Sequence, residues 1–227
     1  MKKIIKVPYD SEKLNKISGV NLAPDLISKE GEVIDIFKSL NLLNFNDCIF
    51  LGGDHSITIE IIKQLKPEGI VIFDAHSDCD EKININGNMD LVRELILNNH
   101  VKPNNIIIVG LRDHDDFLKK HNVNVFTMFE IYNEGINDVV DCVMSIARKF
   151  SSCYLSIDID VLDPAFAPGT ECKEPGGLTS SELFYFLDRL KFLNNIVSMD
   201  LVEINPNLDN DGKTILLAKK IVDKMIR

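Results

Sequence analysis

The sequence predicts an α/β fold with three layers, in which helices cover both faces of a largely parallel central sheet. Short apolar runs such as 69–73 (Gly-Ile-Val-Ile-Phe) have the near-continuous hydrophobicity of strands buried on both faces. Segments with helical periodicity separate these runs, and repeated strand–helix units favour parallel pairing. The chain has 227 residues, of which 45% are hydrophobic, so we predict a single domain over 1–227 with a sizeable core.

The predicted strands are apolar runs that end at turn-forming or acidic residues. The second ends at a Gly-Gly turn, and the third and sixth each end at an aspartate. In chain order, the predicted strands are 4–7, 47–51, 69–74, 105–110, 123–127, 153–158 and 196–203.

The predicted helices lie between these strands and have apolar residues three or four positions apart. In the first helix these residues are Ile34, Phe37 and Leu40. The fifth has a clear start signal, because Thr179 and Glu182 stand at the spacing of a capping box. In chain order, the predicted helices are 28–40, 56–64, 88–98, 136–150, 180–190 and 212–226.

Composition argues against several classes of function. The net charge of −10 disfavours general nucleic-acid binding and suits small cationic substrates. No apolar run approaches the roughly 18–20 residues needed to span a bilayer, and the amino terminus lacks the pattern of a signal peptide. The five cysteines form no Cys-x-x-Cys pair, which predicts reduced thiols and a cytoplasmic protein.

Two acidic segments supply metal-type ligands where predicted strands end. Because alternate residues of an extended chain project to the same side, we expect Asp74, His76 and Asp78 to point one way. The same argument applies to Asp158 and Asp160. Ligands of open α/β sheets bind beyond the carboxyl ends of strands, which is where both segments fall.

His55, in Gly-Gly-Asp-His-Ser at 52–56, adds a second imidazole. Four carboxylates and two imidazoles suffice for two divalent metals, and converging aspartates need a cation to offset their repulsion. Each segment alone also has a structural interpretation: a capped loop after Asp74, the lead into a turn at Asp163, or a flexible glycine turn before His55. Their joint occurrence after strand-like runs favours a metal-dependent hydrolase.

Sequence blocks spread over nearly the whole chain match one known family in residue type and order. The blocks are Val-Pro-Tyr-Asp at 7–10, 19–24, Gly-Gly-Asp-His-Ser at 52–56, Asp-Ala-His-Ser-Asp at 74–78, 156–170, 174–179 and 202–206. On these blocks the chain resembles the ureohydrolases, the family of arginase, agmatinase and formimidoylglutamase. The resemblance implies an arginase-like fold and hydrolysis of a guanidino or formimino C–N bond.

Carried over by position, the resemblance implies two manganese ions per chain. It implies that the ions activate a water that attacks the guanidinium carbon, with Asp78 accepting the proton. Glu203 matches the acidic residue that grips the guanidinium, although it also fits a turn cap before Pro206. The implied ligands are His55, Asp74, Asp78 and Asp158 for one ion, and Asp74, His76, Asp158 and Asp160 for the other.

Two departures from the family pattern bear on activity. Asn86 stands where relatives that cleave guanidines carry a proton-relaying histidine, so it is a candidate substrate contact that cannot titrate. Glu-Cys-Lys at 171–173 replaces small residues or proline near the substrate entrance. A catalytically weak, metal-binding relative with a regulatory or structural role is therefore an alternative.

The choice of substrate rests on few residues. Asp115 resembles a family aspartate that contacts the α-amino group of the substrate, although it also fits a surface loop. Agmatine, with a cationic tail and no carboxylate, is the favoured substrate, which would make this an agmatinase of polyamine metabolism. Arginine and formimidoylglutamate are alternatives, and the latter needs a cation such as Lys173 or Arg112 for its carboxylates. The resemblance also implies a homo-oligomer, a trimer or hexamer.

Overall fold

The described part of the chain contains one sheet of eight strands, all paired in parallel. A computed structural model describes residues 2–11, 18–37, 45–79 and 90–226. The strands are β1 (Lys3–Val7), β2 (Glu32–Val33), β3 (Cys48–Gly52), β4 (Gly69–Phe73), β5 (Ile106–Leu111), β6 (Asn124–Thr127), β7 (Cys153–Asp158) and β8 (Ile196–Val202). They lie in the order β2-β1-β3-β8-β7-β4-β5-β6, which places β8 in the middle of the sheet.

Helices connect most of the strands, and two of them begin at capping boxes. Thr179 and Glu182 form the predicted capping box, and Thr127 forms another with Glu130. The helices are α1 (Ala23–Ile27), α2 (Ile57–Leu65), α3 (Leu91–Leu97), α4 (Asp116–Lys120), α5 (Met128–Glu134), α6 (Ile136–Ala147), α7 (Ser180–Leu190) and α8 (Lys213–Ile226).

Helices cover both faces of the sheet because alternate strand residues project to opposite sides. Val71 and Phe73 of β4 belong to one apolar cluster with residues of α6, α7 and α8. Ile70 and Ile72 belong to a second cluster with residues of α2, α3 and α4. The three-layer α/β fold with a parallel sheet is therefore confirmed.

The predicted helix over 28–40 is wrong for the part that the structure describes. Residues 28–37 contain the two-residue strand β2, and 38–40 lie outside the described residues. Gly31 has a φ of 112°, and a side chain there would clash with β1, so the chain packs beside β1 in extended form. Ile34 and Ile36 are buried with exposed neighbours, a two-residue period that the apolar residues at helical spacing concealed.

The other predicted elements agree with the observed ones except at their ends. The start of the helix predicted over 88–98 falls partly outside the described residues, where α3 begins at Leu91. The short helices α1, α4 and α5 were not predicted. Within the described ranges, no helix is both long enough and apolar enough to cross a membrane.

Candidate metal centre

The candidate site lies at the carboxyl ends of four adjacent strands, β3, β8, β7 and β4. Because these strands are parallel neighbours, their carboxyl ends meet at one edge of the sheet. His55 follows β3, Asp74 follows β4, Asp158 ends β7 and Glu203 follows β8. The sheet thus brings together residues from four distant parts of the chain.

Both acidic segments leave the sheet through a turn that the first aspartate itself closes. Oδ1 of Asp74 accepts a hydrogen bond from the backbone N–H of His76 at 2.7 Å. Oδ1 of Asp158 accepts one from the N–H of Asp160 at 2.9 Å. The expectation of an extended chain beyond each strand is therefore wrong, since both strands end at or before the first aspartate. The side chains still converge, because each turn leaves Oδ2 of its first aspartate near His55.

His55 lies among three carboxylates. Its Nδ1 is 3.2 Å from Asp74 Oδ2, 3.3 Å from Asp78 Oδ2 and 3.4 Å from Asp158 Oδ2, and all four residues are buried. Asp78 reaches this position with a φ of 48°, in the left-handed region that aspartate tolerates better than most residues. These four residues are called the His55 group below.

His76 forms a second cluster, called the His76 group below, with Asp160 and Asp74. Its Nδ1 lies 2.9 Å from Asp160 Oδ2 and 3.5 Å from Asp74 Oδ1. The His76 side chain is 34% exposed, whereas that of His55 is 1% exposed. Asp74 directs one oxygen at each histidine, so the two groups form one continuous cluster.

The buried carboxylates make one another costly to ionise. Burial, followed by the charges of Asp160 and Asp74, raises the pKa of Asp158 well above its usual value. Burial and the Asp74 charge raise the pKa of Asp78 to about 6, and burial raises that of Asp160 as well. For Asp74 burial acts in the same direction, but hydrogen bonds from the two imidazoles outweigh it and lower the pKa to about 2.

The two imidazoles gain protons in these surroundings. Hydrogen bonds to Asp160 and Asp74 raise the pKa of His76 to about 12. Burial lowers the pKa of His55, but hydrogen bonds to its three carboxylates outweigh that effect and raise it well above its usual value. The imidazolium charges therefore offset the carboxylates, a role that a divalent cation takes over when the imidazoles bind it in neutral form.

The donor atoms of the His55 group fit a divalent cation. His55 Nδ1 and Asp78 Oδ2 are buried, and in the described part of the chain neither has a hydrogen bond outside the His55 group. Nε2 of the same imidazole lies 2.9 Å from Ser156 Oγ, and the Ser156 hydroxyl donates to Asp200 Oδ1 at 2.7 Å. In the neutral imidazole, Ser156 Oγ then accepts the hydrogen of Nε2, which leaves the Nδ1 lone pair for a metal ion.

Asp200 anchors this hydrogen-bond chain from the middle of the sheet. Its Oδ2 accepts hydrogen bonds from Thr58 Oγ1 at 2.6 Å and from the Tyr154 hydroxyl at 2.8 Å, and all of these residues are fully buried. Neither Ser156 nor Asp200 was predicted from the sequence. A polar residue inside an apolar strand is the signal that points to them, because buried polar groups need partners.

Comparison with known proteins identifies the family. The profile of the Arginase family matches residues 41–227. A curated arginase from Staphylococcus aureus (strain MRSA252) is 35% identical, over 88% of this chain and 77% of its own length. The chain belongs to the arginase family. The predicted resemblance to ureohydrolases is confirmed.

Solved structures of arginase-family relatives share this fold. Formimidoylglutamase from Bacillus subtilis subsp. subtilis str. 168 has a TM-score of 0.88 at 25% identity, covering 100% of this chain and 86% of its own. The agmatine ureohydrolase of Thermoplasma volcanium has a TM-score of 0.80 at 24% identity, covering 99% and 88% respectively. Membership makes this chain a hydrolase of guanidino C–N bonds in a family that depends on two metals, and the described residues include clusters able to bind metal.

The other predicted site residues of this arginase-family chain differ in their surroundings. Glu203 has a φ of 61°, and its Oε1 accepts the backbone N–H of His55 at 2.7 Å, which places it beside the His55 group. Asp115 caps the start of α4 through Oδ1, and its Oδ2 accepts the Ser77 hydroxyl at 2.6 Å. Asn86 lies outside the described residues.

A cleft of about 180 Å³ opens beside the His76 group. Arg112 also lines this cleft, but its Nη1 and Nη2 atoms donate to backbone carbonyls. Lys173, the other cation considered for a carboxylate substrate, is exposed. The described wall thus presents mainly negative charge. The carboxylates that line it are Asp78, Asp113, Asp115 and Glu174.

Proposed function

We propose that this chain hydrolyses agmatine to putrescine and urea with a pair of manganese ions. The observation that carries the choice of substrate is the acidic cleft beside the His76 group. Agmatine has a cationic tail and no carboxylate, so carboxylates such as Asp113 and Asp115 attract it. Among the described lining residues, Arg112 is the cation other than histidine, and backbone carbonyls occupy its two terminal nitrogens.

The two ions are proposed to bind the His55 group and the His76 group, with Asp74 and Asp158 shared between them. This ligand set is rich in oxygen and has only two imidazoles, which suits manganese better than zinc. When bound, the ions supply a water of lowered pKa as a nucleophile near neutral pH. The proposed ligands are His55, Asp74, Asp78 and Asp158 for one ion, and Asp74, His76, Asp158 and Asp160 for the other.

Glu203 is proposed to hold the guanidinium of the substrate. A carboxylate and a guanidinium form two parallel hydrogen bonds, which fix the orientation of both groups. The backbone N–H of His55 donates to Oε1 of Glu203 at 2.7 Å and so orients this carboxylate relative to the His55 group. Asn86 is proposed as a further substrate contact that forms hydrogen bonds without titrating.

Asp78 is proposed to carry the proton during the reaction. Its Oδ2 is buried and lies 3.3 Å from His55 Nδ1, inside the group proposed to hold one ion. A carboxylate beside the nucleophile can accept a proton from the attacking water and return it later in the reaction. A C–O bond forms at the guanidinium carbon, the C–N bond to the alkyl amine breaks, and the returned proton leaves on that amine.

Arginine is the second candidate substrate. The curated arginase of S. aureus, at 35% identity, favours it. Arginine offers the same guanidinium and adds an α-amino group that Asp115 would contact. Its α-carboxylate needs a donor, and the described cleft wall holds no basic side chain besides Arg112 and the histidines. The same argument applies more strongly to formimidoylglutamate, which has two carboxylates.

Release of urea from the guanidines, or of formamide from formimidoylglutamate, by the manganese-loaded protein tests the proposal. The substrates are agmatine, arginine, guanidinobutyrate and formimidoylglutamate, and we expect the highest kcat/KM with agmatine. A preference for arginine would move the assignment to the second candidate. No turnover of any of them by protein with two verified ions per chain would contradict the proposed function.

We also propose that the protein is a cytoplasmic homo-oligomer, a trimer or hexamer, and that residues 1–227 form one domain. The family resemblance supports the assembly, and the reduced cysteines and composition support the compartment. Light scattering coupled to gel filtration gives the molar mass directly. A monomer at micromolar concentration would contradict the assembly.

A further inference from the structure

The guanidinium of Arg112 is directed at the main chain of the turn that carries Asp160. Its Nη2 donates to the carbonyl oxygens of Asp160 and Val161, each at 2.9 Å. Its Nη1 donates to the carbonyl oxygen of Gly110, also at 2.9 Å. Gly110 belongs to β5, whereas the other two acceptors follow β7, and β4 lies between these strands in the sheet. One planar side chain thus joins two segments that no strand pairing connects.

The charge of Arg112 stabilises the end of a short helical turn. Residues Ile159–Val161 form a 3-10 turn, and Arg112 meets the carbonyl oxygens at its carboxyl end, where the peptide dipoles are negative. Burial lowers the pKa of the guanidinium, while the charges of Asp160 and Asp74 act in the opposite direction. The Arg112 side chain therefore contacts the main chain of the turn that carries Asp160, a proposed metal ligand.

The same side chain also meets the loop 171–177 at the rim of the cleft. The carbonyl oxygen of Glu174 lies 3.5 Å from Nη2, and Glu174 lines the cleft. Gly177 packs so closely on the guanidinium that a Cβ there would lie 1.8 Å from Nη2. Beyond the loop, the N–H of Leu178 donates to Val161 at 3.0 Å, which closes the loop onto the turn.

We propose that Arg112 is a positioning residue that fixes the Asp160 turn to the loop 171–177, so that one side chain supports both the His76 group and the rim of the cleft. The metal-binding part rests on the proposed function. Lysine cannot replace Arg112, because a single ammonium does not reproduce the planar guanidinium that donates at once to the carbonyls of Gly110, Asp160 and Val161. This arrangement also requires glycine at position 177, because any side chain there would displace the guanidinium of Arg112.

Arg112→Lys tests the proposal, with Arg189→Lys as the matched control. Arg189 pairs with Asp141 and Tyr185 away from the cleft. Its replacement is therefore the same arginine-to-lysine substitution at a position that does not contact the Asp160 turn. In the metal-free protein we expect faster hydrogen exchange at the Leu178 amide in Arg112→Lys only. In a manganese titration we expect the affinity for the more weakly bound ion to fall about 10–100-fold, and the affinity for the more tightly bound ion to change little.

Gly177→Ala provides a second variant that keeps the positive charge; its Cβ displaces the guanidinium and also meets the backbone at Leu162 and Asp163. We expect the same pattern of exchange and metal affinity as in Arg112→Lys. Unchanged exchange at Leu178 in both variants overturns the proposed clamp. Faster exchange with both metal affinities unchanged overturns its role for the His76 group. If the unaltered protein binds no manganese, the proposed function fails, and the exchange result still decides whether Arg112 holds the loop to the turn.

Discussion

The His55 group and the His76 group use the same residue types in different surroundings. His55 is buried, and Ser156 and Asp200 fix its ring from inside the sheet. His76 borders the cleft, and Arg112 supports its partner Asp160 through main-chain carbonyls. Side chains thus hold one half of the centre inside the core, and backbone contacts hold the other half at the rim. We therefore expect the two metals to differ in affinity, with the tighter one in the His55 group.

Loss of the shared aspartate should have the largest effect, because Asp74 serves both groups. In Asp74→Asn we expect both ions to be lost and activity to fall by roughly 10³-fold or more, beyond the effect of an outer-shell partner. Metal analysis after dialysis and urea release measure the two quantities. The exposed control Asp138→Asn should retain both ions. Full metal content in Asp74→Asn would refute its position as a shared ligand.

Loss of Asp160 should separate the two groups. In Asp160→Ala we expect the His76 group to lose its ion while the His55 group keeps one, because Asp160 contacts His76 and not His55. Metal analysis should therefore give about one ion per chain. Two ions per chain in this variant would exclude Asp160 as a ligand, and none would show that the groups bind metal only together.

A change at Asp200 should weaken the His55 group alone. Asp200→Asn keeps the shape but replaces one acceptor oxygen by a donor, so the hydroxyl chain to Ser156 and His55 is disturbed. We expect about 10–100-fold weaker binding of the tighter ion. Ser198→Ala is the control, because Ser198 is equally buried on β8 and bonds to Phe45 instead. Equal losses of metal affinity in both variants would indicate general destabilisation of β8.

The metal-free protein should lose stability as the pH rises above about 6.5. Hydrogen bonds to Asp160 and Asp74 raise the pKa of His76 in the folded protein to about 12, against an ordinary value near 6.5. The contribution of protonated His76 to the free energy of unfolding is complete below about pH 6.5. It is lost progressively as the pH rises through the pKa of the folded protein. Calorimetry should give a lower Tm at pH 9 than at pH 7, with a smaller difference in His76→Asn. An equal difference in that variant would assign the effect to other groups.

The position of the centre could be predicted from the sequence, but the local geometry could not. His55, Asp74 and Asp158 each stand at or after an apolar run, and the ends of parallel strands meet at one edge of the sheet. The route of the chain was mispredicted, because the side chains of Asp74 and Asp158 close turns where an extended chain was expected. Such a turn depends on one side-chain hydrogen bond, which strand periodicity does not reveal.

The supporting residues and β2 escaped prediction because they depend on distant partners. Asp200 meets Ser156 only once β8 lies beside β7, a pairing between segments far apart in the chain. The segment after Gly31 is extended because it packs against β1, although its apolar residues also stand at helical spacing. Tertiary contacts decide such cases against local pattern.

The central position of β8 bears on the order in which the protein matures during synthesis. β3 and β7 leave the ribosome before β8 and have open edges towards each other, because β8 fills the gap between them. Until β8 inserts, Ser156 has no Asp200 and His55 has no Glu203. We therefore expect a nascent chain to hold an unfinished acidic centre flanked by two unpaired strand edges until β8 closes those edges and completes the centre in one event.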